Sequence, residues 1–260
     1  MPGASTSDSA MKSQPPAQPP VWPYLAWLTV GLAGIAAPAL ALVLLANSSA
    51  SLAGPVLAVG LMGAAMIAAA AAGSLWIGLL LALLAGAGLI GLAHMLGMPL
   101  PPRPFSTGLA LAIASFSFAA RGALFARSAS DKGWLIAVAV VAGEAAILFT
   151  ASAAPDALPD WLLVLLPAQW ASAAIHATLT GAGAPGASAA LLALAGTAAA
   201  TLLVAWLWPR RWPYLVMFTA WLGFSALVWH QSAPPSDQSA TTVAPFDGSH
   251  RSAVALNPFR

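Results

Sequence analysis

The stretch LAGPVLAVGLMGAAMIAAAAAGSLWIGLLLALLAGAGLIGLAHML, from Leu52 to Leu96, contains no Asp, Glu, Lys or Arg, and its one tight break is Gly73-Ser74. A helix crosses the hydrocarbon core of a bilayer with about 20 consecutive apolar residues, because every backbone N–H and C=O must there be satisfied inside its own segment. The run holds two such helices, residues 52–72 and 75–97, folded into a hairpin at the break. The rest of the chain follows suit. Of 260 residues 60% are hydrophobic and 6% charged, against roughly a quarter charged in a soluble domain. The fold class expected is all-α, a polytopic transmembrane helical bundle.

Working outward, a first span is expected over residues 21–46, opening with Trp22, Tyr24 and Trp27, whose amphipathic rings favour the headgroup region. Residues 47–51 form a turn. Met98–Pro104 (MPLPPRP) carries four prolines, which lack donors and fix φ, so it is a surface loop. Further spans follow at 105–126, 134–154, 188–208 and 212–229, the region 21–230 forming one transmembrane domain. Residues 1–20 and 231–260, rich in Ser, Pro and Ala, read as disordered tails. The first of these lacks the basic start and apolar core of a cleavable signal, so the first helix serves as its own insertion signal.

The segment 161–180 is different, since Pro167 interrupts its apolar run and Gln169, Ser172, His176 and Thr180 follow at spacings of three, four and four. That spacing places four polar groups on one helical face, as in an interfacial or re-entrant helix. Charge separates this from a full crossing, because Lys and Arg of short loops stay on the cytoplasmic side. Without a crossing here, Lys12, Arg127, Lys132, Arg210 and Arg211 share that side and Arg103 alone lies outside. With one, Arg210 and Arg211 move across and the bias vanishes. Seven spans are therefore preferred over eight, in a cytoplasmic membrane of bacterial type, with the N-terminus cytoplasmic and the C-terminus outside.

The single glutamate, Glu144, falls in the middle of the fifth span (LIAVAVVAGEAAILFTA, Leu135–Ala151). A carboxylate at that depth costs several kcal/mol unless it is paired, so intramembrane acids often mark ion, proton or substrate paths. Its expected partner is Arg121, about 7 Å away in depth across the second hairpin at 1.5 Å rise per residue. Ser117, one turn before Arg121, would join them. A substrate or proton path through Glu144, Arg121 and Ser117 is one reading, and an ion pair fixing the hairpin's register is the other.

His94, His176 and His230 fall on the same side in the seven-span arrangement, and neutral imidazoles could there hold a metal or haem iron. No pair has a ligand spacing, and reading the same residues as ordinary polar span ends is the stronger alternative, so no cofactor is expected. Trp22, Trp76, Trp134, Trp161, Trp206, Trp208, Trp212 and Trp229 are read as interface anchors. Gly60, Gly63, Gly78, Gly86 and Gly88 are read as positions of close helix packing.

Absences narrow the function. The chain has no cysteine, HExxH, phosphate-binding GxxxxGKS or dinucleotide GxGxxG in a strand–helix setting, and all six aspartates lie in loops or tails. Gly186-Ala187-Ser188-Ala189 lacks the final glycine of a Gly-x-Ser-Gly site. An enzyme is not expected, and a net charge of +2 offers nothing to nucleic acid. The polar half-helix before a late span, with Pro167, Gln169 and Trp170 in LPAQWA, resembles the permease subunits of ABC-type exporters, although the last span departs from their usual six. The resemblance implies transport. Two expectations stand: a transporter or permease component using the Arg121, Ser117 and Glu144 path, or a non-catalytic subunit or assembly factor of a larger membrane complex. The lipid bilayer, and in the second case partner subunits, are the expected partners.

Overall fold

The structure is a computed structural model that describes residues 22–45, 53–154, 157–181, 183–207 and 212–232. The expected tails up to residue 20 and beyond 232, the turn at 47–51, and Lys12, Asp156, Trp208, Arg210 and Arg211 lie outside the described residues. Gln231 and Ser232, assigned to the tail by the sequence, continue the last helix.

Every element among the described residues is helical. The first rod is α1 (Trp22–Gly31) and α2 (Ala37–Leu45) joined by a π-helical turn, Leu32–Ala36. The second is α3 (Ala53–Met62) and α4 (Ala68–Ala72), joined by another, Gly63–Ile67. Next come α5 (Leu75–Met95), α6 (Pro104–Ala129) and α7 (Gly133–Ala153). A short pair follows, α8 (Asp160–Val164) and α9 (Pro167–Leu179), and then α10 (Gly183–Trp206) and α11 (Trp212–Ser232). Gly73 turns the first hairpin at φ 62, a left-handed conformation that costs glycine nothing. Ser130 adopts positive φ (50) where the short 3-10 turn Ser130–Lys132 reverses the chain between α6 and α7.

Among the described residues five stretches are long and apolar enough to cross a membrane: Pro23–Leu45, Ala53–Ala72, Leu75–Met95, Pro104–Ala153 and Ala187–Trp206. The fourth, of 50 residues, holds both α6 and α7. These helices are compatible with an integral membrane location. Large apolar side chains face outward accordingly, among them Leu28, Leu44, Leu80 and Leu84. The α3–α4 rod is the opposite, buried from Gly54 to Ala70. Its Ala and Gly surface lets neighbours come to backbone distance. An ideal Cβ on Gly34 would lie 2.8 Å from the Ala64 Cα, and one on Gly78 2.5 Å from the Ala65 carbonyl. Gly60, Gly63 and Gly86 are likewise tightly packed, whereas Gly88 faces open space, which corrects its reading as a packing position.

These contacts fix the direction of each rod. Gly34 meets Ala64 and Pro38 meets Gly60, so α1–α2 and α3–α4 run antiparallel. Gly78 meets Ala69 while Leu89 meets Gly60, which reverses α5 in turn. Arg103, just before α6, and Arg121 and Arg127 within it reach Gly183, Thr197 and Ala205 in order, so α10 runs parallel to α6 and starts at the same end of the bundle. Phe224 packs on Gly196 and Met217 on the Leu124–Val204–Ala205 cluster, so α11 runs back.

The segment expected to be an interfacial or re-entrant helix packs inside the bundle, which corrects the interfacial alternative. Ala168, Trp170, Ala171, Ser172, Ala174, Ile175 and Thr178 of α9 are buried among α3, α6 and α10. The cause is again side-chain size, since Gly54 lets the Ser172 carbonyl and the His176 Cβ approach to 3.1 Å of where its own Cβ would stand. α10 also begins at Gly183 rather than at residue 188, because Pro185 in its first turn lacks a donor that would be unpaired there anyway.

Candidate functional site

The break between α8 and α9 is surrounded by three side chains: Trp170, which is buried, and Glu144 and Trp221, which are half-buried. Pro167 has no N–H and disfavours the α conformation in the residue before it, and Leu166 is extended (φ −90, ψ 120). The interruption strands the last carbonyls of α8 and the first amides of α9, groups that are costly to leave unpaired away from water.

Each is met by one side chain. The Trp170 indole N–H donates to the Val164 carbonyl at 2.7 Å, and the Trp221 indole N–H donates to the Leu165 carbonyl at 3.2 Å. The Ala168 N–H donates to Glu144 Oε2 at 2.9 Å. Glu144 thus caps the positive end of α9, where a helix's free amides and dipole favour a negative group. Trp161 lies beside Trp229 near the end of α11, while Leu165 lies beside Trp221, about two turns deeper. α9 then returns toward Thr180, beside Pro101 in the loop that precedes α6.

Beside the break is a chamber of about 330 Å³, walled by Arg121, Leu124 and Phe125 of α6, Glu144 of α7, Leu165 to Pro167, Thr197 and Thr201 of α10, and Met217, Phe218 and Trp221 of α11. Arg121 and Glu144 both face it, but the expected cluster is not formed. Among the described residues no ion pair within 4.0 Å joins Arg121 to Glu144. Glu144 is engaged by Ala168, and Arg121 Nη2 reaches across to Thr197 Oγ1 at 3.5 Å. The hairpin geometry allowed the pair, and a closer partner on each side displaced it. Ser117 is buried, its hydroxyl has no partner among the described residues, and it does not line the chamber.

The Phe118 ring lies 5.7 Å from the Arg121 Cζ, and Nη1 is buried without a hydrogen-bond partner among the described residues. Thr197 donates its own proton to the Ala193 carbonyl at 2.8 Å and Thr201 donates to the Thr197 carbonyl at 2.7 Å. Nearly two turns toward the end of α6, Arg127 donates to the Ala205 carbonyl. The two arginines therefore tie α6 to α10 rather than to its hairpin partner α7.

The outer polar set divides. Ser172 is buried, Gln169 and His176 are half-buried, and Thr180 is exposed with its hydroxyl donating to the His176 carbonyl at 2.9 Å. His94 and His176 line a second, smaller cavity of about 100 Å³ under Pro99 and Pro101, and His94 Nδ1 lies 3.4 Å from the Met98 carbonyl. His230 sits apart at the end of α11, and among the described residues no three His, Cys, Asp or Glu side chains converge as a metal site. Trp134, expected at the interface, is 8% exposed and belongs to the core. Trp76, Trp161, Trp206 and Trp229 face outward.

Trp221, Thr197 and Thr201 had no place in the expected site. A signal for the capped break was present in Pro167, which frees an amide where a buried acid needs a donor. Comparison with family models, curated proteins and solved structures finds no match to this chain.

Proposed function

We propose that the chain is a seven-span membrane transporter or permease component, with the α8–α9 segment re-entrant and the chamber at its break as the solute site. The observation that carries this is the break itself. Discontinuous helices that expose backbone to a cavity at mid-membrane depth are how many transporters build their sites, non-helical backbone being tolerated there only where it is buried or lines a cavity. A cavity of about 330 Å³ falls in the usual range for small-molecule sites, about 300–1,000 Å³. In this reading Glu144 organises the site by holding α9, and Arg121 is the charged group left to face the solute. The distribution of Lys and Arg supports a cytoplasmic N-terminus and an outer C-terminus.

The chain contains no cysteine, so a single Leu165→Cys variant reports water access to the break without background. In sealed proteoliposomes a membrane-impermeant thiosulfonate is expected to label it from either face, as alternating access requires. Labelling from one face or from neither overturns the transport reading.

A second reading, a subunit of a larger membrane complex, is favoured by the outward face of α7. Ala139, Ala142, Gly143 and Ala146 are exposed there at helical spacing, and an ideal Cβ on Gly143 would meet nothing within 4 Å. Small residues on an open helix face are suited to packing against another helix in lipid. Purification in mild detergent with stoichiometric partners supports this reading, and a single species weighs against it.

A further inference from the structure

We infer that the chamber binds an anionic group, a carboxylate or phosphate ester, carried on a small apolar body, with Arg121 as its recognition residue. The inference rests on reading the chamber as a ligand site and adds the chemistry of the ligand.

A guanidinium is always charged and offers five N–H donors in a rigid fork. Arg121 uses this fork sparingly. Among the described residues its one hydrogen bond, to Thr197, is 3.5 Å long, and Nη1, enclosed beneath the chamber surface, has no partner among them. Among the described residues no carboxylate comes within 4.0 Å, and the one acid in the chamber, Glu144, is engaged by the Ala168 amide. A cation embedded among apolar helices without a direct ion pair is costly, and an incoming anion lowers that cost.

The other lining groups agree on the sign. The hydroxyls of Thr197 and Thr201 spend their protons on main-chain carbonyls of α10, and the Trp221 indole spends its own on Leu165. The guanidinium is thus the one lining group with hydrogens to offer, and what it recognises must be an acceptor. Carboxylates and phosphates match its fork in bidentate geometry. Leu124, Phe125, Leu166, Met217 and Phe218 form the remaining wall, which calls for an apolar body attached to the anion. Glu144 opposes this attraction only in part, because one of its carboxylate oxygens is directed at the Ala168 N–H and the N-terminus of α9 carries about half a positive charge.

A free amphipathic acid and the headgroup of an anionic lipid share this chemistry. The test is calorimetric titration of the full chain in phosphatidylcholine nanodiscs with octanoate, octyl phosphate and, as the uncharged control, octanol, empty discs serving as blank. Saturable binding of either anion, absent for octanol, is expected. Arg121→Gln should weaken it at least about tenfold, the size of a lost charge-assisted hydrogen bond. Met217→Trp fills the chamber while leaving Arg121 in place, so it must also weaken binding and carries the test if Arg121→Gln does not fold. Repeating the titration in phosphatidylglycerol discs assigns the source: lost binding identifies a lipid headgroup as occupant, and retained binding a free acid.

Equal binding of octanol and octanoate overturns the inference, as does full anion affinity in Met217→Trp or in folded Arg121→Gln. If Leu165→Cys is labelled from water yet no anion binds, this inference falls alone. If the break is sealed and no anion binds, the reading of the chamber as a ligand site falls with it.

Discussion

Glu144 Oε2 and the backbone nitrogen of Ala168 are 2.9 Å apart, so the chain's one glutamate serves as the cap of a helix that begins inside the bundle. The role requires an acceptor oxygen at that place. Glu144→Gln retains one and Glu144→Leu does not. Thermal unfolding in detergent should show a small loss for Gln and a loss of about 1–3 kcal/mol for Leu, the cost of a stranded buried donor. Equal losses for the two would remove the cap from the account.

The two indoles should behave as the other half of the same device. Trp170→Phe keeps most of a fully buried ring but leaves the Val164 carbonyl without its donor, and Trp221→Phe does the same to Leu165. Each is expected to cost about 1–3 kcal/mol. Trp170 should be the larger, because its bond is shorter and its ring wholly enclosed, whereas Trp221 is half-buried. Unfolding midpoints of the two variants test the order, and a silent Trp170→Phe contradicts it.

Packing around the central rod can be tested with a matched pair of glycines. A Cβ on Gly122 would run into the Met66 carbonyl and the Ala69 methyl, while one on Gly143 would meet open space. Gly122→Ala should therefore destabilise by about 1–3 kcal/mol, as overpacking does. Gly143→Ala should stay within about 0.5 kcal/mol, as surface substitutions do. Comparable midpoints for the two would mean that α6 does not lie against the α3–α4 rod in this register.

Much of this architecture was legible in the sequence because the relevant physics is local. Hydropathy placed all the ends of α5 and α7 within a residue or two, and prolines marked both the Met98–Pro104 loop and the α8–α9 break. What the sequence withheld depends on contacts between distant segments. The polar spacing of Gln169, Ser172, His176 and Thr180 describes a face, but nothing local says that Gly54 admits that face to the interior. The pairing of Arg121 with Glu144 followed from hairpin depth alone, and it failed because Thr197, 76 residues away, and Ala168, 24 residues away, were nearer partners. Trp221 and Thr197 joined the chamber through the parallel course of α6 and α10, which no periodicity reveals.

The central claim is that the chain enters at α8, breaks at Leu166-Pro167 and returns through α9 to the side it came from. The most direct measurement is the sidedness of single-cysteine variants at Ser74, Ser130, Ala157 and Thr180, labelled in sealed vesicles of known orientation. The account predicts that Ala157 and Thr180 label together from one face, and Ser74 and Ser130 together from the other. Labelling of Ala157 and Thr180 from opposite faces would make residues 160–179 a full crossing and would contradict it.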